Sequence, residues 1–354
     1  MKKALSILLA LILVVGMMAG CGTTATPTPT EAPAAEAPAA EAPAAETPAS
    51  EAPAEDVKYP ETVTIVCGYS AGGSSDFMCR TLATSLEKAL GVTVIVEDMP
   101  GSSGWIALNE MFQTPADKAD GSRLYLAGTG TAFGKYDPDN PREFFYTDFI
   151  PMASEVVDYG IIAIRNDETR FTDLASFLDY AKENEVLIGA SGSNILSDDV
   201  NAMQKFANLH GMKYSVVQTD GSSDTKLLFQ QGSTDVMFAN VGDVLADVSS
   251  GAYKVLCVMA PERSALLPEI PTVEELGFGP IYNFSLRGYG YPAGTPDAIV
   301  EWMLKGLEEA INDPDTVATL AATGAETVCY IGDDFTQVIS DDLDSALEAW
   351  GLER

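Results

Sequence analysis

The segment with the clearest chemical potential is a glycine- and serine-rich loop near the start of the globular part of the chain. The loop, residues 68–76, follows the apolar run 63–67 and precedes a stretch whose apolar side chains recur at helical spacing. Gly72 and Gly73 let the backbone turn its N–H groups toward a ligand above the helix N-terminus, where the helix dipole also favours anions. The loop matches neither G-x-x-x-x-G-K-[ST] nor G-x-G-x-x-G. We therefore expect it to bind a small carboxylate rather than a phosphate cofactor.

Similar loops of small residues end other predicted strands. Loop 101–104 follows the predicted strand 92–96, loop 128–131 follows 124–127, loop 190–194 follows 186–189, and Asn240 follows 235–239. An open parallel sheet binds ligands beyond the carboxyl ends of its strands. The sequence thus predicts an α/β fold whose loops gather at one cleft.

The predicted elements fall into two α/β blocks. The second block restarts with a predicted strand at 159–164, a helix at 171–182 and strands at 186–189, 214–217, 235–239 and 254–259. The chain then returns through 285–290 to helices at 297–312 and 314–323. Two blocks whose loops face one cleft predict a hinged clamshell.

Residues typical of catalysis are scarce. The single histidine, His210, lies at a predicted helix C-terminus, where a capping or solvent-facing role is expected. The sequence contains no G-x-S-x-G, H-E-x-x-H or EF-hand motif. The two acids of each pair, Asp198-Asp199 and Asp341-Asp342, are adjacent in sequence, so they do not face each other on a helix. Both pairs are interpreted as solvated charge. We predict no catalytic residue, no metal site and no cofactor.

Four cysteines follow Cys21, namely Cys67, Cys79, Cys257 and Cys329. Without a C-x-x-C motif, a zinc or redox site is not expected. The prediction is four free, buried thiols, with a disulfide as the alternative.

The first twenty residues are typical of a secretory signal. Lys2 and Lys3 precede an apolar run at 4–15, which is short for the ~30 Å hydrocarbon core of a bilayer. Ala19-Gly20-Cys21 resembles a bacterial lipobox. We predict a lipoprotein signal peptide at 1–20 and lipidation of Cys21, with an ordinary cleaved signal and an incidental cysteine as the alternative. The protein is then exported and anchored to the outer face of the cytoplasmic membrane.

Residues 21–58 are predicted to be a tether rich in Ala, Pro and Glu. Glutamates recur at every fifth position from 31 to 51, and the interspersed prolines prevent a continuous helix. At ~3.1 Å per residue in extended geometry, such a stalk reaches on the order of 100 Å.

The acidic composition limits the possible partners. The formal net charge is −32, from 20 basic and 52 acidic residues. Nucleic-acid binding needs clustered Lys and Arg, so we expect no nucleic-acid partner. An anionic ligand must be bound by local geometry, because the overall field repels it.

The order and spacing of several motifs between residues 59 and 350 resemble those of a known family. The motifs are 71–76 (AGGSSD) with Arg80, 100–104 (PGSSG), 191–193, 235–238, Arg263, 268–277 and 292–296. The chain resembles the substrate-binding proteins of tripartite tricarboxylate transporters, the TctC-like or Bug-type receptors. The resemblance implies a monomeric receptor that closes around a small carboxylate (a di- or tricarboxylate, an amino acid or an aromatic acid) and delivers it to membrane permease subunits.

The fold implied by the resemblance is two-lobed and periplasmic-binding-protein-like (Venus flytrap, type II). Each lobe is expected to be a mainly parallel sheet flanked by helices. Lobe 1 is predicted at 59–160 and 286–354, and lobe 2 at 161–285.

The resemblance also implies which residues contact the ligand. Carried onto this sequence, the family's binding loops correspond to Tyr69, Ser70, Ala71, Gly72, Gly73, Ser74, Asp76, Ser102, Ser103, Gly104, Thr129, Gly130, Thr131, Ser191, Gly192, Ser193, Asn194 and Asn240. Within this set, Asp76 is expected to brace the loop or to accept amides of the first helical turn, because two carboxylates repel each other.

Several positions depart from the family pattern. Trp105 stands where Asn or Thr is common, and it either fills the core or stacks on a ligand ring. Arg287 stands where an aromatic residue is common, and it is either a bidentate carboxylate partner in the site or a surface arginine paired with an acid. Gly68 replaces a usual proline, and 218–221 (QTDG) replaces a Pro-Tyr-x-Gly pattern. These departures leave the tricarboxylate specificity open.

Two other functions remain as alternatives at this stage. A ligand-sensing lipoprotein module for a membrane sensor kinase uses the same closed state as a transport receptor. A secreted carboxylate-processing enzyme is disfavoured, because the sequence lacks a nucleophile with a base in reach.

Overall fold

The computed structural model describes residues 57–136, 141–191, 197–219 and 222–354. The predicted signal peptide, Cys21 and most of the predicted tether lie outside these residues. Within the described ranges, no helix combines the length and the apolar composition needed to cross a bilayer. The strands are β1 (Thr62–Cys67), β2 (Thr93–Asp98), β3 (Arg123–Gly128), β4 (Phe149–Arg165), β5 (Val186–Ser191), β6 (Tyr214–Thr219), β7 (Val236–Asn240), β8 (Tyr253–Val258), β9 (Phe284–Pro292) and β10 (Glu326–Thr327).

Helices cover the faces of this sheet. They are α1 (Ser74–Leu90), α2 (Trp105–Gln113), α3 (Gly130–Phe133), α4 (Leu174–Glu183), α5 (Asp198–His210), α6 (Ser222–Gln230), α7 (Val241–Ser249), α8 (Asp297–Ile311), α9 (Pro314–Ala321) and α10 (Asp333–Trp350). Most begin and end within a few residues of the positions that the hydrophobic pattern predicts.

The strands form one mixed sheet in the order β2-β1-β3-β9-β4-β7-β5-β6, with β8 and β10 also paired to β4. The pairs β1–β2, β1–β3, β5–β6 and β5–β7 are parallel, as the strand–loop–helix pattern predicts. The middle of the sheet is antiparallel, because β9 returns between β3 and β4 and runs against both.

The long strand β4 divides the sheet into two halves. Residues 149–159 pair with β9, whereas the residues from Gly160 onward pair with β7 and β8. We call β1, β2, β3, β9, β10 and residues 149–159 the first half, and β5–β8 with residues 160–165 the second half. The sequence predicts only the 159–164 part of β4, because Ser154, Glu155 and Asp158 interrupt the apolar pattern of the part that precedes it.

Each half has its own apolar core. In the first half, Leu82 of α1 and Leu307 of α8 pack in one cluster with Ile65 of β1. In the second half, Phe177 of α4 and Phe206 of α5 belong to a separate cluster under the sheet. Both halves therefore bury the apolar stripes that the helical periodicity predicts.

The C-terminal helix α10 is not predicted by the sequence analysis. Its buried residues Phe335, Ile339, Leu343 and Leu347 recur every four positions and belong to an apolar cluster of the first half. At its end the Trp350 indole N–H donates to Asn201 Oδ1 of α5, at 2.7 Å. The helix thus packs on the first half and is hydrogen-bonded to the second.

Cys67, Cys79, Cys257 and Cys329 are all free thiols, as predicted. Three of them are buried, whereas Cys329 is only half-buried. The prediction of four buried thiols is therefore wrong at Cys329, whose side chain packs only partly against the apolar core of the first half.

Candidate functional site

A cleft of about 370 Å³ lies where strand ends of both halves meet helix N-termini. The first half contributes the loop after β1, the starts of α1 and α2, the loop after β3, and β9. The second half contributes the starts of α5, α6 and α7. The lining residues are Gly68, Tyr69, Ser74, Ser75, Gly104, Trp105, Leu108, Leu126, Ala127, Gly128, Thr129, Gly130, Thr131, Phe133, Gly134, Arg142, Ser197, Asp198, Ser222, Asn240, Asp243, Ser285, Leu286 and Arg287.

The loop between β1 and α1 presents the start of a seventeen-residue helix to the cleft. Gly72 has φ +80°, a conformation that glycine adopts readily, and Gly73 is an extended N-cap without a side chain to cap the helix. The first amide bonded within the helix is that of Phe77, to the Gly73 carbonyl at 2.9 Å. The first-turn amides beside Ser74 and Ser75 are therefore positioned to receive an anion.

Asp76 holds this loop in shape. Its Oδ2 accepts the Gly72 amide at 2.7 Å, and its Oδ1 pairs with Arg80 Nε at 2.7 Å. Burial opposes ionisation of the carboxyl, but the Gly72 amide and the Arg80 guanidinium prevail and lower the pKa of Asp76. Both carboxylate oxygens face the loop and α1 rather than the cleft, so Asp76 is placed as a brace.

The loop after β1 and the loop after β2 touch through two glycines. An added Cβ on Gly68 would lie 2.8 Å from the Gly104 Cα, so a side chain at position 68 would separate the loops. Gly104 itself has φ +89° and lies against the Tyr69 ring. Tyr69 is 45% exposed and forms part of the cleft wall. This contact explains why glycine occupies position 68.

The loop after β3 is closed by its own threonines. The Thr131 hydroxyl donates to the Gly128 carbonyl at 2.7 Å, and Thr129 exchanges hydrogen bonds with Leu286 of β9. Gly130 lies between them, with open space where its Cβ would stand. The threonines shape this wall, while Gly130 leaves room beside it.

The second half contributes acids and an amide. Asn240, at the end of β7, is buried, and its Nδ2 donates to Asp198 Oδ2 at 3.1 Å. Asp243, in the first turn of α7, lines the same wall. Burial raises the pKa of Asp243, against hydrogen bonds from the Ser222 side chain and the Asn240 backbone N–H and the charge of Arg287.

Arg287 reaches the cleft from β9, where it lies opposite Gly128 of β3 and Val156 of β4. Its Nη2 is 3.9 Å from Asp158 Oδ2, and its side chain is partly exposed. Burial raises the pKa of Asp158 to about 7, although the Gly242 amide and Arg287 both favour the charged form. The structure thus places Arg287 on the cleft wall and also beside a buried acid. One feature of each of the two interpretations of Arg287 is therefore present.

Trp105 is both a core residue and part of the wall. It is 8% exposed, packs in the apolar cluster with Phe133, and carries the Arg142 guanidinium 5.0 Å from its ring. Arg142 Nη2 also lies 3.5 Å from the Ser102 hydroxyl. The sequence analysis did not single out Arg142 as a site residue.

The predicted ligand-binding residues, namely those implied by the resemblance together with Arg287, separate into three groups. Those that line the cleft are Tyr69, Ser74, Gly104, Thr129, Gly130, Thr131, Asn240 and Arg287. Those that lie beside the cleft, in the loops or the first turn of α1, without lining it are Ser70, Ala71, Gly72, Gly73, Asp76 and Ser102. Of the rest, Ser103 and Ser191 are placed only by their backbone, and Gly192, Ser193 and Asn194 lie outside the described residues.

The interpretation of Asp198 and Asp199 as solvated charge is wrong. Asp199 is 2% exposed within α5, and Asp198 lines the cleft under Asn240. Asp342 is likewise half-buried, and burial raises its pKa to about 7 against the charge of Lys205. The adjacent acids Asp198 and Asp199 are a sequence signal that could have been used. The helix dipole stabilises acids in the first turn of a helix, so such a pair indicates a helix N-terminus.

His210 lies away from the cleft. Its Nε2 is 2.8 Å from the Phe278 carbonyl, at the end of α5. Among the residues that the structure describes, no three His, Cys, Asp or Glu side chains are grouped so as to hold a metal ion. The cleft therefore presents amides, hydroxyls, two acids and two arginines, a set suited to binding.

Comparisons with known proteins agree with this arrangement. BugT of Bordetella pertussis is 24% identical over 290 residues, which cover 80% of this chain and 87% of BugT. The solved structure of the periplasmic binding protein BugD has a TM-score of 0.69 at 24% identity and covers 83% of this chain and 99% of its own. The structure of R. palustris Rpa4515 with adipate has a TM-score of 0.71 at 20% identity, with coverages of 83% and 99%. These likenesses establish a periplasmic-binding-protein-like fold.

The sequence profile of the tripartite tricarboxylate transporter family receptor, TctC, matches residues 78–348. This match includes most of α1, every strand except β1, and most of α10, and the loop 68–76 precedes it. It also bears out the resemblance that the loop motifs indicate. The chain belongs to the tripartite tricarboxylate transporter receptor family.

Proposed function

We propose that this protein is an extracytoplasmic solute receptor that captures a small carboxylate in the cleft and delivers it to the permease subunits of a tripartite tricarboxylate-type transporter. The observation that carries the proposal is the convergence of loops and helix N-termini from both halves on one cleft. Such ends supply oriented amides, which bind anions without requiring a basic field. The adipate bound to the R. palustris neighbour supports a carboxylate as the ligand class.

The two halves of the sheet act in this proposal as lobes that close around the ligand. Strand pairing changes from β9 to β7 and β8 at residues 159 and 160, near the predicted lobe boundary. Closure of this kind needs only small backbone changes at the segments that connect the lobes. The units 59–160 with 286–354, and 161–285, remain the proposed lobes.

The proposal also includes the membrane anchor. Residues 1–20 would be removed, and the lipid on Cys21 would hold a monomeric receptor at the outer face of the membrane through the 21–58 tether. The lipobox-like sequence and the repeated Pro and Glu residues support this part.

Calorimetric titration of the purified chain with di- and tricarboxylates, amino acids and aromatic acids tests the proposal. We expect saturable binding of at least one acid. Gly130→Leu should abolish that binding, because the new side chain enters open space on the cleft wall at a position without backbone strain. Ala318→Leu, on the exposed face of α9, is the matched control and should bind as the wild type does.

Two results would overturn the proposal. One is the absence of binding by every acid of the panel to folded protein. The other is wild-type affinity in Gly130→Leu, which would place the ligand outside this cleft.

A further inference from the structure

Two cysteines flank the loop 68–76 at the cleft. The cleft has a first-half wall and a second-half wall, named after the half of the sheet that contributes each, and this loop belongs to the first-half wall. Cys67 is the last residue of β1, and Cys79 lies in the second turn of α1. Both are fully buried in one apolar cluster of the first half. A bond between their sulfur atoms would therefore close the loop into a ring.

The Cys67 and Cys79 side chains contact each other. The Cys79 thiol donates a hydrogen bond to the Cys67 sulfur. The Tyr289 hydroxyl oxygen lies 3.9 Å from Cys79 Sγ on the other side of this contact. Cys257, by contrast, is the single cysteine of its apolar cluster among the described residues, so packing as a small apolar side chain accounts for it. Such packing alone does not require two thiols to meet beside one loop.

The two thiols differ in acidity. Hydrogen bonds from the Cys79 thiol and the Tyr69 backbone N–H lower the pKa of the Cys67 thiol. Burial and the charges of Asp98 and Asp76 oppose this shift without outweighing it. Donation to Cys67, together with burial, raises the pKa of Cys79. Because the thiolate is the nucleophile in disulfide exchange, Cys67 is the first to react and Cys79 is its resolving partner.

We propose that Cys67 and Cys79 are a disulfide-forming pair, a reduced dithiol in this structure that oxidises to a bond tying β1 to α1 across the loop 68–76. The sulfur atoms are already in contact, so the bond needs them to approach only from hydrogen-bond distance to about 2.05 Å. The bond itself does not depend on the receptor function. The expectation that the pair meets an oxidising compartment rests on the proposed extracytoplasmic location.

The oxidant in this proposal is a disulfide, either of a small molecule or of a protein. The Cys67 thiolate attacks one sulfur of the oxidant, which forms a mixed disulfide and releases one oxidant thiolate. The Cys79 thiolate then attacks the Cys67 sulfur and releases the other. In total the pair loses two protons and two electrons, and the oxidant disulfide becomes two thiols. Because both cysteines are buried, the oxidant reaches them when the loop opens, and residues 69–74 of this loop are exposed.

Peptide mapping by mass spectrometry tests the bond. The purified chain is reduced with dithiothreitol and treated with oxidised glutathione, once as folded protein and once during refolding from urea, where the oxidant has access to every thiol. The remaining thiols are blocked with N-ethylmaleimide. Cleavage before Asp76 then places the two cysteines in separate peptides. We expect a peptide pair joined through Cys67 and Cys79 that dithiothreitol separates, whereas Cys257 and Cys329 carry N-ethylmaleimide or glutathione.

Urea unfolding tests whether the bond fits the folded loop. The oxidised wild-type chain should unfold at a higher urea concentration than the reduced chain, because the bond restricts the unfolded state. Oxidant treatment of Cys79→Ala should produce no such rise. Cys329→Ser, which changes the half-buried thiol and keeps the pair, is the matched control and should show the same rise as the wild type.

Three results would overturn the inference. The first is that Cys67 and Cys79 are both recovered as free thiols after oxidative refolding. The second is that either of them is bonded to another cysteine instead. The third is a Cys67–Cys79 bond that leaves the unfolding midpoint unchanged or lowers it, which would show that the bond does not fit the folded loop. If the bond forms but no acid of the calorimetric panel binds, the proposed function fails and the disulfide-forming pair stands.

Discussion

Asn240, Asp198 and Asp243 form the polar centre of the second-half wall, although they are distant in sequence. Asn240 ends β7, Asp198 begins α5 and Asp243 lies in the first turn of α7. The parallel order of β7 and β5 in the sheet brings these ends to one edge. The fold therefore brings these three polar side chains together at one wall of the cleft.

Glu155 is a buried acid outside the cleft whose titration has a measurable consequence. It is fully buried in β4, where the Tyr289 hydroxyl donates to its Oε2 at 2.5 Å. Burial raises the pKa of Glu155 from 4.5 to about 8, against this hydrogen bond. Between these two values the unfolded chain releases the proton and the folded chain keeps it. Glu155 therefore stabilises the fold fully below pH 4.5, and this contribution is lost as pH rises toward 8.

Glu155→Gln should remove this dependence, since the amide does not titrate and still accepts from Tyr289. In denaturant unfolding between pH 5 and 8, we expect the wild-type free energy of unfolding to fall more steeply than that of the variant, by about 1.4 kcal/mol per pH unit. Glu309→Gln, on the exposed face of α8, is the control and should follow the wild type. Parallel curves for wild type and Glu155→Gln would contradict this account.

At the scale of elements, the contact between the loops after β1 and β2 fixes the first-half wall. Gly68→Ala should destabilise the protein by roughly 1–3 kcal/mol, because the new Cβ would lie 2.8 Å from the Gly104 Cα and backbone would have to move. Denaturant unfolding measures the loss. Gly130→Ala is the matched control, with no atom within 4 Å of its new Cβ, and should be within about 0.5 kcal/mol of the wild type. Equal stability of the two variants would show that the loops are not in contact in solution.

The elements differ in how far the sequence predicts them. The unit β1–loop–α1–β2 is predictable because its signals are local, namely an apolar run, Gly72, a helical stripe and Gly91 at the helix end. The first part of β4 is hidden, because its polar residues, including Glu155, become buried only through contacts with distant elements. The antiparallel middle of the sheet depends on where β9 returns, which no local pattern specifies.

The candidate site is likewise only partly predictable from local sequence. Tyr69, Gly104 and Gly130 line the cleft because each follows the end of a strand, and their contact with a ligand stays a prediction. Asp198 and Asp243 were missed, because local sequence does not specify which face of α5 or α7 turns toward the other half. The inward direction of these acids is a product of the tertiary fold.

At the scale of the whole molecule, a chain of net charge −32 carries a cleft suited to an anionic group. Long-range attraction cannot concentrate an anion at such a surface, so affinity has to come from the short-range amides of α1 and from the arginines of the cleft wall.

A crystal structure of the chain with the tightest-binding acid of the titrations tests the central claim most directly. We predict that the ligand carboxylate lies in the cleft, with its oxygens about 3 Å from amides of the first turn of α1. A ligand bound outside the cleft, or one whose carboxylate lies against Asp198 and Asp243, would contradict the account.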